Sequence, residues 1–97
     1  MRIVYLASAL ADLAWMRDYY GRVFSAGRAR ARQRVRATEK LLVEHPFAGH
    51  PSEVDGVREL AITGTPFSFI YRVKSNRVEV LRVWDGRASR AFLGLEQ

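Results

Sequence analysis

Hydrophobic and polar positions alternate most clearly between Val57 and Arg87. Three short runs, Val57 to Ile62, Phe67 to Val73 and Val78 to Trp84, are separated there by Gly64-Thr65-Pro66 and by Lys74-Ser75-Asn76-Arg77. A period of two bounded by turn residues predicts strands, and connections this short permit only antiparallel neighbours, so a three-stranded meander is expected. In the middle run Phe67, Phe69, Tyr71 and Val73 share one face and Ser68, Ile70 and Arg72 the other, a core side and a mostly polar side. The third run divides less cleanly. Val78, Val80, Arg82 and Trp84 have one parity and Glu79, Leu81 and Val83 the other, so alternation leaves its inward side open.

Ahead of the meander the period changes. Arg2 to Leu6 is β-branched and aromatic and predicts a first strand, added to the meander at an edge or beside a neighbour. Ala9, Leu13, Met16, Tyr20 and Val23 then recur at helical spacing, with Ser8 as the expected N-cap, Asp12 in the first turn and an end near Phe24. Ser25-Ala26-Gly27 predicts a break, and a second helix follows with Ala31, Val35, Thr38 and Leu42 as its stripe. Arg28, Arg32 and Arg36 flank that stripe on one side and Arg30 and Arg34 on the other. Long stems covering the hairpin edge with solvated heads account for this pattern, and so does a basic groove for an acidic peptide or for phosphates.

Pro46 ends the second helix, and the stretch from His45 to Gly56 is expected to be a loop leading into the meander. A short helical turn is expected over 88–95. The whole predicts a two-layer α+β architecture, β-α-α-β-β-β, with an N-terminal strand and a helical hairpin packed on an antiparallel sheet, in one domain spanning 1–97.

Composition narrows the function. The 97 residues carry 48% hydrophobic and 27% charged side chains, which suits one packed core. Without cysteine there are no disulfides, thiolate nucleophiles or thiolate zinc sites, and no apolar run approaches the ~18 residues of a membrane span. A soluble cytoplasmic protein is expected. The formal net charge of +6 favours an acidic partner, either nucleic acid or an acidic protein segment. His45 and His50 lack metal-spaced companions, and no Ser-His-Asp set, P-loop or Rossmann fingerprint is present, so no metal or cofactor is expected.

The order of these elements carries a more specific signal. Ala9, Asp12, Leu13, Met16 and Tyr19 in the first helix, Leu42, Pro46 and Gly49 after the second, Gly56-Val57-Arg58-Glu59-Leu60, Ile70-Tyr71-Arg72-Val73 and Val80-Leu81-Arg82-Val83 together resemble the RelE/ParE family of type II toxin–antitoxin toxins. The resemblance spans nearly the whole chain and implies a cognate acidic antitoxin that neutralises the toxin in a hetero-oligomer. In the RelE branch it implies ribosome-dependent mRNA cleavage by Lys, Arg and a proton carrier on the open sheet face. Here Glu59, Ala61 and Thr63 follow Arg58, no Tyr or His follows Trp84, and Asp85 stands where several related toxins carry His. The match is closer to the ParE branch, which implies inhibition of DNA gyrase by protein–protein contact.

Arg58, Arg72 and Arg82 sit on three consecutive predicted strands at outward-compatible positions, where they are expected to converge for target and antitoxin, unless each pairs with a local carboxylate, Glu59, Glu79 or Asp85. Arg87 and Arg90 would extend that rim. In the ribonuclease alternative Arg58, Arg72, Arg82 and Arg87 would clamp phosphates, with Asp85 the one nearby proton acceptor. Trp15 and Tyr19, one helical turn apart and off the core stripe, would offer an aromatic patch to an antitoxin or a second toxin chain, or pack along a helix edge. A generic basic RNA-binding module ranks behind both readings, since the aromatic and Gly motifs of single-strand readers are missing.

Overall fold

The structure, a computed structural model, describes residues 1–87; the turn expected over 88–95 and Arg90 lie outside the described residues. Its elements are β1 (Arg2–Tyr5), α1 (Ala7–Arg22), a 3₁₀ turn (Ser25–Gly27), α2 (Arg28–Glu44), β2 (His50–Pro51), β3 (Arg58–Ala61), β4 (Phe67–Val73) and β5 (Arg77–Asp85). The strands form one sheet in the order β1-β5-β4-β3-β2, and the expected α+β fold with its antiparallel meander is present. β1 joins at the edge, parallel to β5. The two-residue β2, within the stretch expected as loop, extends the other edge antiparallel to β3.

One extra residue in β5 settles the question its alternation left open. Tyr71 pairs with Val80 and Ile70 with Arg82, so Leu81 has no partner and forms a bulge. The bulge inverts parity. Val78, Val80 and Val83 therefore all face the helices, with Phe67, Phe69 and Tyr71 of β4, Met16 and Tyr20 of α1 and Leu42 of α2. Leu81 and Trp84 turn to the other surface, where with Val54 they cover Ile70 and Val57 as a second small apolar cluster. The side expected to be mostly polar is thus partly closed over, and Ile70 is only 1% exposed.

The helix ends depart from expectation for local reasons. The Leu6 amide still donates to the Val80 carbonyl, so strand passes directly into helix at Ala7, and Leu6 is the N-cap instead of Ser8. Asp12 then falls beyond the first turn and binds the sheet. Val23, expected on the apolar stripe, is exposed, and α1 stops at Arg22, short of the expected end near Phe24.

The loop after α2 is pinned from inside the core. The buried Tyr71 hydroxyl donates to the Pro46 carbonyl at 2.8 Å and accepts the Gly49 amide at 2.9 Å. A β-carbon at Gly49 would lie 2.6 Å from both the Glu59 carbonyl and the Tyr71 hydroxyl, so only glycine fits there. Replacing Tyr71 with Phe strands a buried donor and an acceptor and is expected to cost about 1–3 kcal/mol of unfolding free energy in a denaturant titration. An unchanged midpoint would show that the loop is anchored elsewhere.

Candidate functional site

The arginines expected to converge do not do so. Arg58 pairs in register with Tyr71, whose side chain faces the helices, and so lies on the opposite face from Arg72. Its Nε donates to the Gly49 carbonyl at 3.1 Å and its guanidinium lies 5.2 Å from the exposed Phe47 ring, a cation–π contact that holds it under the 46–49 loop. Arg72, on the outer face, donates Nε to Glu79 Oε1 at 2.6 Å, and Arg77 donates Nε to Oε2 of the same carboxylate at 2.8 Å, with its Nη2 2.7 Å from that oxygen. The pairing of Arg72 with Glu79 was open to sequence; the addition of Arg77 was not.

Arg82 is engaged at the sheet edge. β1 ends at Tyr5, opposite Val80, so the β5 edge is unpaired beyond that point, and Asp12 of α1 takes its place: Oδ2 accepts the Val83 amide at 2.9 Å and Arg82 Nε at 2.8 Å, and Oδ1 accepts Arg82 Nη2 at 3.1 Å. The Asp12 contact raises the Arg82 pKa against the opposing effect of burial. The guanidinium also stacks 5.0 Å from the Trp84 ring. Asp12 thus serves as a substitute strand.

Asp85 and Arg87 close on each other. Arg87 donates Nε to Oδ1 at 2.9 Å and Nη2 to Oδ2 at 2.7 Å, while its amide also donates to Oδ1. Hydrogen bonding to Arg87 lowers the Asp85 pKa below its usual 3.8, so this carboxylate is a weakened proton acceptor. Glu79 is lowered likewise from 4.5, first by Arg72 and then by Arg77, with burial opposing.

Nor do the four arginines of the phosphate-clamp reading share one place. Asp85 pairs with Phe67, which lies five residues from Arg72 along β4, about 17 Å at ~3.4 Å per residue. His50 Nε2 lies 4.0 Å from Glu59 Oε1, but Glu59 pairs with Ile70, and Ile70 with Arg82. In register Glu59 and Arg82 thus flank Ile70 from the two neighbouring strands, with backbones roughly 10 Å apart.

Unpaired positive charge lies instead on α2. Arg28, Arg30, Arg32, Arg34 and Arg36 are all exposed and have no carboxylate partner among the described residues. Arg28, Arg32 and Arg36, with Arg17 of α1, rim a groove of about 300 Å³ between the helices. Leu13, Met16, Tyr20, Ala31 and Val35 line its floor, and Glu39 sits at one end, where its carboxylate accepts the Tyr5 hydroxyl. Burial and this carboxylate keep Tyr5 protonated. Arg17 escaped the sequence reading, although it lies one turn after Leu13 and three residues before Tyr20.

On another side of α1, where Trp15 lines a separate pocket with Asp12, Phe67 and Trp84, the rings of Trp15 and Tyr19 stack with centroids 5.7 Å apart, and Tyr19 meets Phe67 edge-on. Trp15 is 56% exposed, so the patch expected from helical spacing is open to solvent on one side.

The family model described as the ParE toxin of the type II toxin–antitoxin system parDE matches residues 3–90. The chain belongs to the ParE toxin family. Among solved structures, one from the chromosomal ParDE system of P. aeruginosa is 35% identical, covers 86% of this chain and 92% of its own, and superimposes with a TM-score of 0.70. A YoeB/ParE toxin from Agrobacterium tumefaciens is 25% identical over 86% of this chain and 95% of its own, with a TM-score of 0.61. No curated protein matches. As a ParE toxin of a parDE module, the chain has an antitoxin partner. No helix among the described residues is long and apolar enough to cross a membrane.

Two contrasts follow from the ion pairs. Asp12→Ala removes the acceptor of the Val83 amide at the strand edge and the Asp12 contact of Arg82 and is expected to cost about 1–3 kcal/mol, whereas Asp85→Ala, whose Arg87 partner is exposed, should cost clearly less. Equal losses in denaturant would refute the strand-substitute role. Glu79, with its folded pKa lowered, contributes stability that is complete above 4.5 and fades as pH falls through the lower folded value. The melting temperature should drop on acidification in that range, and Glu79→Gln should flatten the drop.

Proposed function

We propose that this ParE toxin inhibits DNA gyrase by protein–protein contact, without nucleolytic chemistry, and that its antitoxin neutralises it by laying an acidic helical segment in the α1–α2 groove. The observation that carries the reading is the distribution of cations. Cleavage of RNA needs a proton acceptor beside groups that stabilise a phosphate. On the sheet, Arg72 and Arg82 are bound to carboxylates and Asp85 is held by Arg87, so the geometry supports binding over catalysis.

The groove combines what an amphipathic acidic helix requires, an apolar floor for one face and unpaired guanidinium groups for the flanks. Trp15 and Tyr19, on another side of α1, offer a second, aromatic contact surface. Arg72, Arg82 and Arg87 have side chains 42%, 23% and 61% exposed, so they meet a target or antitoxin as ion-paired groups that already have partners. Arg58 contributes by holding Phe47 on the surface.

Expression of the free toxin in cells should trap cleaved gyrase–DNA complexes and induce DNA-damage signalling, with no codon-positioned cuts in mRNA. Cuts without gyrase trapping would make the protein a ribosome-dependent nuclease of the RelE kind. For the groove, Arg32→Glu with Arg36→Glu should weaken antitoxin binding by at least tenfold in a titration, because the flanks would then repel an acidic segment. Unchanged affinity would place the antitoxin elsewhere.

A further inference from the structure

Away from the groove, positive charge also concentrates at the end of the sheet where β4 turns into β5. Register sets Arg2 of β1 beside Arg77 of β5, and Glu79 of β5 beside Arg72 of β4. Ile3 and Val78, the intervening residues, pack in the helix-side core, so Arg2, Arg77, Glu79 and Arg72 all face the outer surface. Of the convergence that sequence placed at Arg58, Arg72 and Arg82, only Arg72 takes part here, with Arg2, Lys74 and Arg77.

Glu79 organises the patch. It is 6% exposed and takes a hydrogen bond from each of Arg72 and Arg77, fixing two guanidinium groups side by side while their side chains stay 42% and 34% exposed. Arg2 and Lys74 are exposed and have no carboxylate partner among the described residues. Four cations against one carboxylate leave a net charge of +3, spread over three strands that span roughly 10 Å.

We propose that this row binds the phosphate backbone of duplex nucleic acid. Arg72, held by the carboxylate through Nε, presents its remaining N–H groups to phosphate oxygens, while Arg77, which also donates Nη1 to Asn76 Oδ1 at 3.0 Å, adds a fixed positive charge beside it. Apart from Val4, the patch offers no apolar floor of the kind that the centre of a protein interface needs, unlike the α1–α2 groove. None of its outward residues is aromatic, so it has no platform on which unpaired bases would stack, and a duplex fits it better than a single strand. The contact would be independent of base sequence. It does not depend on gyrase being the target.

Fluorescence anisotropy of the full chain with a short random-sequence duplex, across a salt series, tests the assignment. Arg2→Gln with Lys74→Gln removes two charges that have no internal partner. It is expected to weaken duplex binding about tenfold at low salt and to reduce the slope of log K against log salt by about 2, roughly one per lost contact. Arg30→Gln with Arg34→Gln, the same change of charge on the side of α2 away from the groove, should leave affinity and slope near wild type. Replacing Arg72 and Arg77 with Met together with Glu79→Leu removes the clamp without stranding a buried charge and should abolish binding while circular dichroism stays native.

Equal losses in the α2 control would reduce the effect to net charge and overturn the proposal. So would absence of duplex binding by wild type at low salt, or displacement of the duplex equally well by polyglutamate or by a single strand.

Discussion

A carboxylate in a half-buried place must find a cation, and this requirement decides where the positive charge of the molecule can be used. Glu79 and Asp12 are enclosed by the sheet and by α1, and between them they bind Arg72, Arg77 and Arg82. Leaving either carboxylate unpaired would cost more than a surface contact by the same arginine returns. The sheet arginines are therefore structural first. What remains free includes the arginine-rich start of α2 with Arg17 across the groove, and Arg2 and Lys74 at the sheet's end.

This division separates two kinds of surface. The α1–α2 groove has an apolar floor and a cationic rim, suited to a folded or folding protein segment. The end of the sheet has cations on a flat polar ground, suited to phosphates. The region where a nuclease would assemble its chemistry, around Asp85 and Arg87, is occupied by a bidentate pair that draws the carboxylate's basicity down. That division supports the proposal that this ParE toxin acts by occupying surfaces.

Much of the fold was legible in the sequence because period and punctuation agreed along the chain. β4 has the bounds that alternation predicted, Phe67–Val73, and the arginine-flanked α2 begins just after the Ser25–Gly27 break. The site was less legible, for a specific reason. One added residue, Leu81, inverts the parity of β5, and alternation has no means of marking where a strand bulges. The mixture of polar and apolar residues on both parities of Val78 to Trp84 was the trace it left. Asp12 illustrates a second limit, since helical spacing placed it near the first turn while its function is to complete a strand edge distant in sequence. Arg58 illustrates a third: its face depended on pairing with Tyr71, which strand prediction alone does not supply.

The central claim, that the sheet arginines are held and the α2 arginines are free, can be read directly from arginine Nε–Hε signals in solution NMR. Arg58, Arg72, Arg77, Arg82 and Arg87 each donate Nε–H to a fixed acceptor. The account predicts dispersed, slowly exchanging Hε resonances for these five, and averaged, rapidly exchanging ones for Arg28, Arg30, Arg32, Arg34 and Arg36. Slow exchange along α2 together with averaged signals from Arg72 and Arg82 would contradict it.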